Sequence, residues 1–406
     1  MYISICVYVF ILALFFWGVK IAPKKQFNSD YLSLDAMTCL KGFMALLVIF
    51  HHVSQKKAFQ DAHVMWIFEN IGFLFVGIFF FTSGYGLYKS YKTKPDYLNG
   101  FVKKRVLPIV ISYYIMVCIY AVFKLANGIK MPLDRWICEI TGLTMINSMA
   151  WFVYVIVILY LAFNFAFKHF KNTGALLFIL FVILGQAALF IVMGHNLWFV
   201  GPKDWWRNPA LVWNNPVWWK RVQSVLFSGE WWVNSTLCFL LGIIICQNEE
   251  KFTAFLKRKY GLKLVLFILL FVLMLVANFA VTFSPFSYWA AVGKDAILNN
   301  FVCYPVQSLC AMAFCLLVCA VMLKIYAANG FLRFCGKRSL EIYLMQELCI
   351  FSWAFLIEKN YKPIFKPHLW NMALFLVAVA ASVLVSATIY HWLNQKATKF
   401  LKARNK

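Results

Sequence analysis

The sequence is poor in charge, and above all in acidic residues. Only 13% of its 406 residues are charged, and 15 aspartates and glutamates stand against 39 lysines and arginines. A soluble globular domain usually carries about a quarter charged residues, whereas 63% of this chain is hydrophobic. The composition therefore excludes water as the main solvent, and we expect no separate soluble domain.

Several sequence motifs are also missing. The twelve cysteines lie almost entirely in apolar blocks, and no C-x-x-C pair occurs in a polar loop. We expect them to be small core residues rather than metal ligands or disulfide partners. There is no nucleotide-binding loop, serine–histidine–acid motif or metal-ligand pattern. We therefore expect no metal and no permanently bound cofactor. The first apolar block lacks a basic leader and a cleavage site, so it should remain as a helix.

The apolar blocks themselves predict the fold. Most are about 17 to 25 residues long, the length that a helix needs to cross roughly 30 Å of hydrocarbon. Helices are required because a polar backbone cannot be left bare in lipid. The sequence thus predicts an all-α polytopic membrane bundle of about eleven transmembrane helices. The expected spans lie near residues 2–22, 37–55, 66–88, 106–126, 150–167, 174–194, 233–248, 262–284, 300–323, 340–357 and 370–393.

The net charge of +24 predicts an orientation rather than a nucleic-acid partner. Lysine and arginine sit in short segments between spans, so nucleic-acid binding is not expected, whereas contact with lipid head groups is. The segments that follow the odd-numbered expected spans, counted with the adjoining span ends, hold 25 basic residues, and those that follow the even-numbered spans hold 13. The positive-inside rule places the richer set in the cytoplasm. We expect a bacterial inner-membrane protein with its amino terminus outside and its carboxyl terminus inside.

The longest connection, residues 195–232, is rich in tryptophan and is expected to lie outside. It contains eight of the sixteen tryptophans of the chain. An aromatic belt at the lipid surface would explain them without a ligand. A sugar-binding surface would also explain them, because an indole pairs a flat apolar face with a polar N–H. The candidate acceptor-binding residues are Trp205, Trp206, Trp218 and Trp219.

The second expected span contains ionisable residues, which are costly in a membrane and mark candidate functional sites. Lys41 and His52 are eleven residues apart, so they lie on nearly one helix face, about 16 Å apart along the axis. His51 points elsewhere and is a secondary candidate. A snorkelling lysine and a histidine at the wet end of a helix are the plainer alternatives, and spacing alone leaves them open.

Together with other segments, this helix resembles the motifs of acyltransferase family 3. These membrane proteins acylate surface polysaccharides, peptidoglycan and other acceptors. The resemblance covers about residues 35–393, which leaves residues 1–34 as an additional helix with its linker and 394–406 as a basic cytoplasmic tail. The matching pieces, in order, are Lys41 with His52, residues 79–86 (FFFTSGYG), Lys103–Pro108, Trp151 with Phe152 and Tyr160, Asn234 with Phe239 and Gly242, and Gly336–Tyr343.

The resemblance implies a membrane O-acyltransferase. The acyl group, commonly acetyl, would come from cytoplasmic acyl-coenzyme A, here acetyl-CoA, and reach a hydroxyl of an extracytoplasmic carbohydrate or glycolipid. His52 would act as general base on that hydroxyl or form an acyl-histidine intermediate, and sequence leaves both routes open. The other implied roles are donor binding at Lys103, Lys104 and Arg105, assistance at Lys41, an oxyanion donor at Ser83, and support from His51, Trp151, Asn234 and Glu341.

Two departures from the family pattern keep other functions open. Lys41 replaces the usual arginine and so loses its bidentate fork, and Gln346 stands where many relatives have histidine. A carrier or flippase for a glycan or lipid would use the same intramembrane groups to relay protons or bind cargo. An inactive member acting as a scaffold is the third interpretation.

Overall fold

The computed structural model describes residues 2–193, 226–291, 293–357 and 369–403, and these ranges are almost entirely helical. The described chain forms fifteen α-helices and one small antiparallel sheet of two strands. The α-helices are α1 Tyr2–Phe16, α2 Leu34–Ser54, α3 Lys57–Asp61, α4 Gly72–Thr93, α5 Leu107–Ala126, α6 Leu133–Thr141, α7 Trp151–His169, α8 Asn172–Met193, α9 Leu237–Gln247, α10 Glu249–Lys257, α11 Tyr260–Thr282, α12 Ala296–Met322, α13 Gly330–Lys337, α14 Ser339–Trp353 and α15 Leu369–Ala403, and the strands are β1 Val19–Ile21 and β2 Ile325–Ala327.

Nine helical segments within the described ranges are long and apolar enough to cross a membrane. They confirm the expected all-α polytopic architecture and define an integral membrane protein. Two expected spans are not among the nine. The first, α1, has only 15 residues, or about 22 Å of helix, and α4 has 22 residues but carries a polar, glycine-containing second half. The nine segments are Leu34–Ser54, Val102–Ala126, Ser148–His169, Asn172–Met193, Glu230–Gln247, Tyr260–Thr282, Ala296–Met322, Ser339–Leu356 and Trp370–Phe400.

The expectation of one helix over residues 2–22 is wrong at its carboxyl end. Helix α1 stops at Phe16, and Gly18 adopts a left-handed φ of 64° that suits glycine. The Asn329 side chain donates to the Leu14 carbonyl at 3.1 Å and to the Trp17 carbonyl at 2.9 Å. The chain then pairs with β2 in the register Val19 to Ala327. Long-range pairing therefore overrides the apolar pattern.

The last helix differs from expectation in the opposite direction. The segment after residue 393 was expected to be a basic tail, yet α15 continues to Ala403. This stretch contains no glycine or proline, and its three lysines and two alanines favour helix. The Lys396 ammonium lies 3.9 Å from the centre of the Trp392 ring, one turn earlier. The basic residues thus extend the helix.

The chain divides into two compact units, and unit 1 comprises residues 1–89, 241–271 and 312–406. Its core is built on glycine-mediated crossings. A Cβ atom at Gly42 of α2 would overlap the Leu332 carbonyl of α13, and one at Gly336 would overlap the Thr38 carbonyl. Small residues of this kind permit the close backbone approach that stabilises helix pairs in membranes. Gly336, which opens a family motif, therefore has a packing role.

Polar contacts fix the amino-terminal end of α2 in unit 1. The Ser33 hydroxyl accepts from the Ala36 amide and caps the helix. Arg333 of α13 donates to both carboxylate oxygens of Asp35, at 2.6 and 2.8 Å. Before the helix, a hydrogen bond from the Lys20 ammonium holds the pKa of Asp30 below its ordinary value. The amino end of α2 is therefore anchored to α13 by a capped terminus and a bidentate pair.

Unit 2 comprises residues 90–240 and 272–311. Helices α7 and α8 pack against each other, and fully buried Phe163 and Phe101 stack on one side of α7 with ring centres 6.0 Å apart. A buried cluster on α6 pairs Glu139 with Lys124 at 3.0 Å and with Arg135 at 2.8 Å. Because the Glu139 charge is met by two cations, the cluster can stay within the fold.

Candidate active site

Helix α2 carries the two residues that the sequence singled out first. It runs without interruption through Lys41 and His52, so the expected separation of about three turns is present. Both side chains are half-buried. Among the described residues, Lys41 has no hydrogen-bond or ion-pair partner, whereas Gln55 lies within hydrogen-bonding range of the His52 ring. An ammonium without a counterion inside a membrane span is a natural site for an anionic group.

His51 is held more firmly than His52. Its Nδ1 lies 2.7 Å from the Phe68 carbonyl oxygen, and because a carbonyl can only accept, Nδ1 carries the proton. In the neutral ring Nε2 is then the free base. The ring also lies against Gly72, where any Cβ atom would overlap it. The His51 and His52 rings are 4.8 Å apart between centres, so the two imidazoles form one site at the carboxyl end of α2.

Ser83 lies on α4 and is not close to the histidine pair. Helix α4 begins at Gly72, which touches His51, and Ser83 follows eleven residues later. That separation is about 16 Å along the axis, far beyond a hydrogen bond. Ser83 is thus as far from the histidine end as Lys41 is. The predicted role of Ser83 as an oxyanion donor beside His52 has no geometric support.

Glu341 also lies away from His52. It follows Gly336, which packs on Thr38, and is therefore near the Lys41 end of α2. Its carboxylate accepts from His391 Nδ1 at 2.8 Å and from the Asn394 amide at 3.4 Å. The structure therefore pairs Glu341 with a neighbouring base, His391.

The basic triplet occupies a distinctive turn in unit 2. Residues Val102–Val106 form a π-helical turn that leads into α5. Pro108 has no N–H to donate to the Lys104 carbonyl, and the Leu107 amide instead bonds to the Val102 carbonyl, five residues back. Turns of this kind occur often at functional sites.

The side chains of the triplet point to different neighbours. Lys103 and Lys104 are exposed, and the Lys104 ammonium donates to the Asn99 carbonyl at 3.0 Å. The Arg105 guanidinium lies 5.3 Å from the centre of the Tyr97 ring. The turn thus presents two exposed ammonium groups beside one guanidinium held over an aromatic ring, a set that suits phosphate groups.

Trp151 and Asn234 come close together in unit 2. Both are buried, and the Trp151 ring lies 6.2 Å from that of Trp232, two residues before Asn234. The Asn234 amide donates to the Gln307 side-chain oxygen at 3.0 Å, and its own oxygen accepts from Ser235 at 3.0 Å. The two supporting candidates therefore belong to one polar and aromatic cluster.

This cluster contains functional candidates that the sequence interpretation missed. The Gln307 amide donates to Glu230 Oε2 at 2.7 Å, which continues the chain of hydrogen bonds from Asn234. Glu230 lies at the start of a membrane-spanning segment and has no cationic partner among the described residues. The sequence signal for this site is a carboxylate directly before Trp231 and Trp232 at a span boundary, although the apolar pattern places Glu230 in the connection before the span.

The expectations for the tryptophan-rich connection, the cysteines and metal binding can be compared with the structure only where it describes the residues concerned. Trp205, Trp206, Trp218 and Trp219 lie outside the described residues, so the tryptophan-rich connection remains a prediction. Ten of the twelve cysteines are buried, all except Cys6 and Cys118. In the described ranges, no group of three or more histidine, cysteine, aspartate or glutamate residues is arranged to hold a metal ion.

The fold and these groups define a polytopic membrane protein that carries, on one apolar helix, a histidine pair and an ammonium with no partner among the described residues. The family model described as an acyltransferase domain, that of acyltransferase family 3, matches residues 34–391. The chain belongs to this family and is a membrane acyltransferase. No curated protein and no solved structure gives a significant match to it.

Proposed function

We propose that the protein transfers an acyl group, acetyl in the simplest case, from cytoplasmic acyl-coenzyme A to a hydroxyl of an extracytoplasmic carbohydrate or glycolipid. The observation that carries this proposal is the arrangement on α2, in a chain that the acyltransferase family matches. An imidazole pair lies near the end of the helix, and an ammonium that has no counterion in the described part of the chain lies three turns earlier. A base and an anion-binding group are the elements that acyl transfer from a phosphorylated donor requires.

The mechanism follows from these positions. Lys103, Lys104 and Arg105 hold the donor phosphates at the inner face, and Lys41 assists in drawing the negatively charged donor toward α2. His52 takes the proton of the acceptor hydroxyl as that oxygen attacks the thioester carbonyl, and coenzyme A leaves as the thiol. The neighbouring His51 ring is fixed by the hydrogen bond from its Nδ1 to the Phe68 carbonyl, and it holds the two imidazole rings in their relative orientation. Ser83 has no part in this scheme because of its distance from the histidines.

The orientation is part of the proposal. With the amino terminus outside and the carboxyl terminus in the cytoplasm of a bacterial inner membrane, Lys41 lies near the inner face and His52 in the outer half. Donor and acceptor then approach α2 from opposite sides. This direction matches an acyl donor that is made in the cytoplasm and an acceptor that is displayed at the surface.

A comparison of cell-surface glycans tests the function. We expect cells that express the gene to carry glycans heavier by one acyl ester per modified sugar than cells that lack it, with acetyl giving the smallest increment. Mass spectrometry before and after mild alkali measures this, because alkali removes esters. Return of the wild-type gene is the control. Unchanged decoration together with lost glycan export would contradict acyl transfer and support a carrier.

A further inference from the structure

The cluster around Glu230 in unit 2 combines a carboxylate with a flat aromatic surface. The Trp231 and Trp289 rings are stacked, with centres 6.2 Å apart and planes 25° from parallel. Tyr288 meets the edge of Trp231 at 6.0 Å and donates to the Ser228 carbonyl at 2.7 Å. Trp289 is 52% exposed, whereas Tyr288 is buried. Buried contacts thus fix an indole platform in which the Trp289 side chain is partly exposed.

The Glu230 carboxylate is oriented but only partly used. Its Oε2 accepts from Gln307, which is fixed in turn by Asn234 and Ser235. Its Oε1 has no hydrogen-bond partner among the described residues, and the side chain is half-buried. A carboxylate oxygen that is held in place by a relay and left without a donor is prepared to accept hydroxyl hydrogens from a ligand.

Helix α12 supplies further polar groups next to this relay. Tyr304 and Ser308 lie on the side of the helix adjoining Gln307, about 60° and 100° around its axis. Both are buried, and neither hydroxyl has a hydrogen-bond partner of good geometry among the described residues. The two hydroxyls lie within interaction range of each other. Helix α12 thus adds two adjacent buried hydroxyls beside Gln307.

We propose that Glu230, Trp231 and Trp289 form a binding subsite for a pyranose ring of the acceptor glycan. Glu230 Oε1 accepts from sugar hydroxyls, and the open indole face packs on the C–H face of the ring. A few fixed polar groups beside aromatic walls are typical of small-molecule sites. This inference rests on the proposed function, because it assigns the acceptor of that reaction to a place in unit 2.

Two observations favour a sugar over a cation at this subsite. Cages for quaternary ammonium groups surround the charge with several accessible aromatic faces, whereas here Trp231 and Trp289 stack on one another and the perpendicular Tyr288 ring is buried. The charge pattern of the sequence also places the segments around residues 230 and 289 on the outer side of the membrane. A displayed glycan reaches that side.

Direct binding to the purified full-length protein tests the subsite. The probe is the oligosaccharide mixture released from the surface of cells that lack the gene, measured by calorimetry without any donor. We expect Glu230→Gln and Trp289→Ala each to weaken binding about tenfold, the scale of losing one charge-assisted hydrogen bond or one aromatic contact. Glu250→Gln and Trp370→Ala, which change exposed residues of unit 1, are matched controls and should bind like the wild type.

The outcomes separate this inference from the proposed function. Normal binding by both folded Glu230→Gln and Trp289→Ala proteins would overturn the subsite, even if the wild type transfers acyl groups. Failure of the wild type to bind the oligosaccharides, or their displacement by tetramethylammonium, would overturn it as well. Specific binding that the two variants weaken, in a protein that transfers no acyl group, would refute the proposed function and leave the subsite standing.

Discussion

Replacing His52 by alanine should lower acyl transfer by about 100-fold or more, the usual scale for loss of a positioned acid–base group. The side chain is half-buried near the end of α2, where shortening it removes little apolar packing. We therefore expect the variant to insert in membranes, remain monodisperse and still bind donor. The rate of coenzyme A thiol release in the presence of acceptor measures the effect.

His51→Ala is the informative comparison for that experiment. It leaves the Phe68 carbonyl without its partner and opens space beside Gly72, so we expect lower thermal stability with a milder loss of transfer. Near-normal transfer by a folded His52→Ala protein would refute His52 as the base. If His51→Ala alone were inactive, the free Nε2 of His51 would be the base instead.

Reversing the charge of Arg105 should weaken binding of coenzyme A about tenfold at low ionic strength. Arg105 belongs to the π-helical turn, and its guanidinium lies over the Tyr97 ring. A glutamate at position 105 would therefore place a negative charge against the donor phosphates. The effect should shrink as salt is raised, because charges near the surface are screened over about 10 Å at 0.1 M salt. Equilibrium dialysis with labelled coenzyme A at two salt concentrations measures it.

Arg258→Glu is the matched control for this charge reversal. Arg258 is exposed, follows α10 and is expected on the same side of the membrane, so the variant has the same change in net charge outside the triplet. We expect its binding to stay close to that of the wild type. Equal weakening of coenzyme A binding by both variants would show a general effect of net charge. Unchanged binding by Arg105→Glu would show that the triplet sets membrane orientation and does not bind the donor.

Most of the helical architecture could be predicted from apolar runs, because the thickness of a bilayer imposes a length on each span. The errors have local causes. Helix α1 ends early since Asn329, more than 300 residues away in the chain, binds its last carbonyls and β2 pairs with the following segment. No periodicity in residues 2–22 carries that information. Helix α15 extends because its basic end is also helix-forming.

The candidate site could be predicted only where it lies on a single element. Lys41 and His52 share α2, so helical spacing was enough to relate them. Ser83 and Glu341 lie on other helices, and only the Gly72 and Gly336 contacts reveal that neither is near His52. Glu230 was missed because its partner Gln307 is 77 residues away. Relations between elements depend on tertiary packing, which one sequence does not display.

Transfer of labelled acetyl across a membrane by the purified protein in liposomes tests the proposed activity directly. Labelled acetyl-CoA is supplied on the side of the carboxyl terminus, and the unacylated surface oligosaccharide on the opposite side. We expect alkali-labile label on the oligosaccharide with the wild type and almost none with His52→Ala. Oligosaccharide that crosses the membrane without gaining label would contradict that activity.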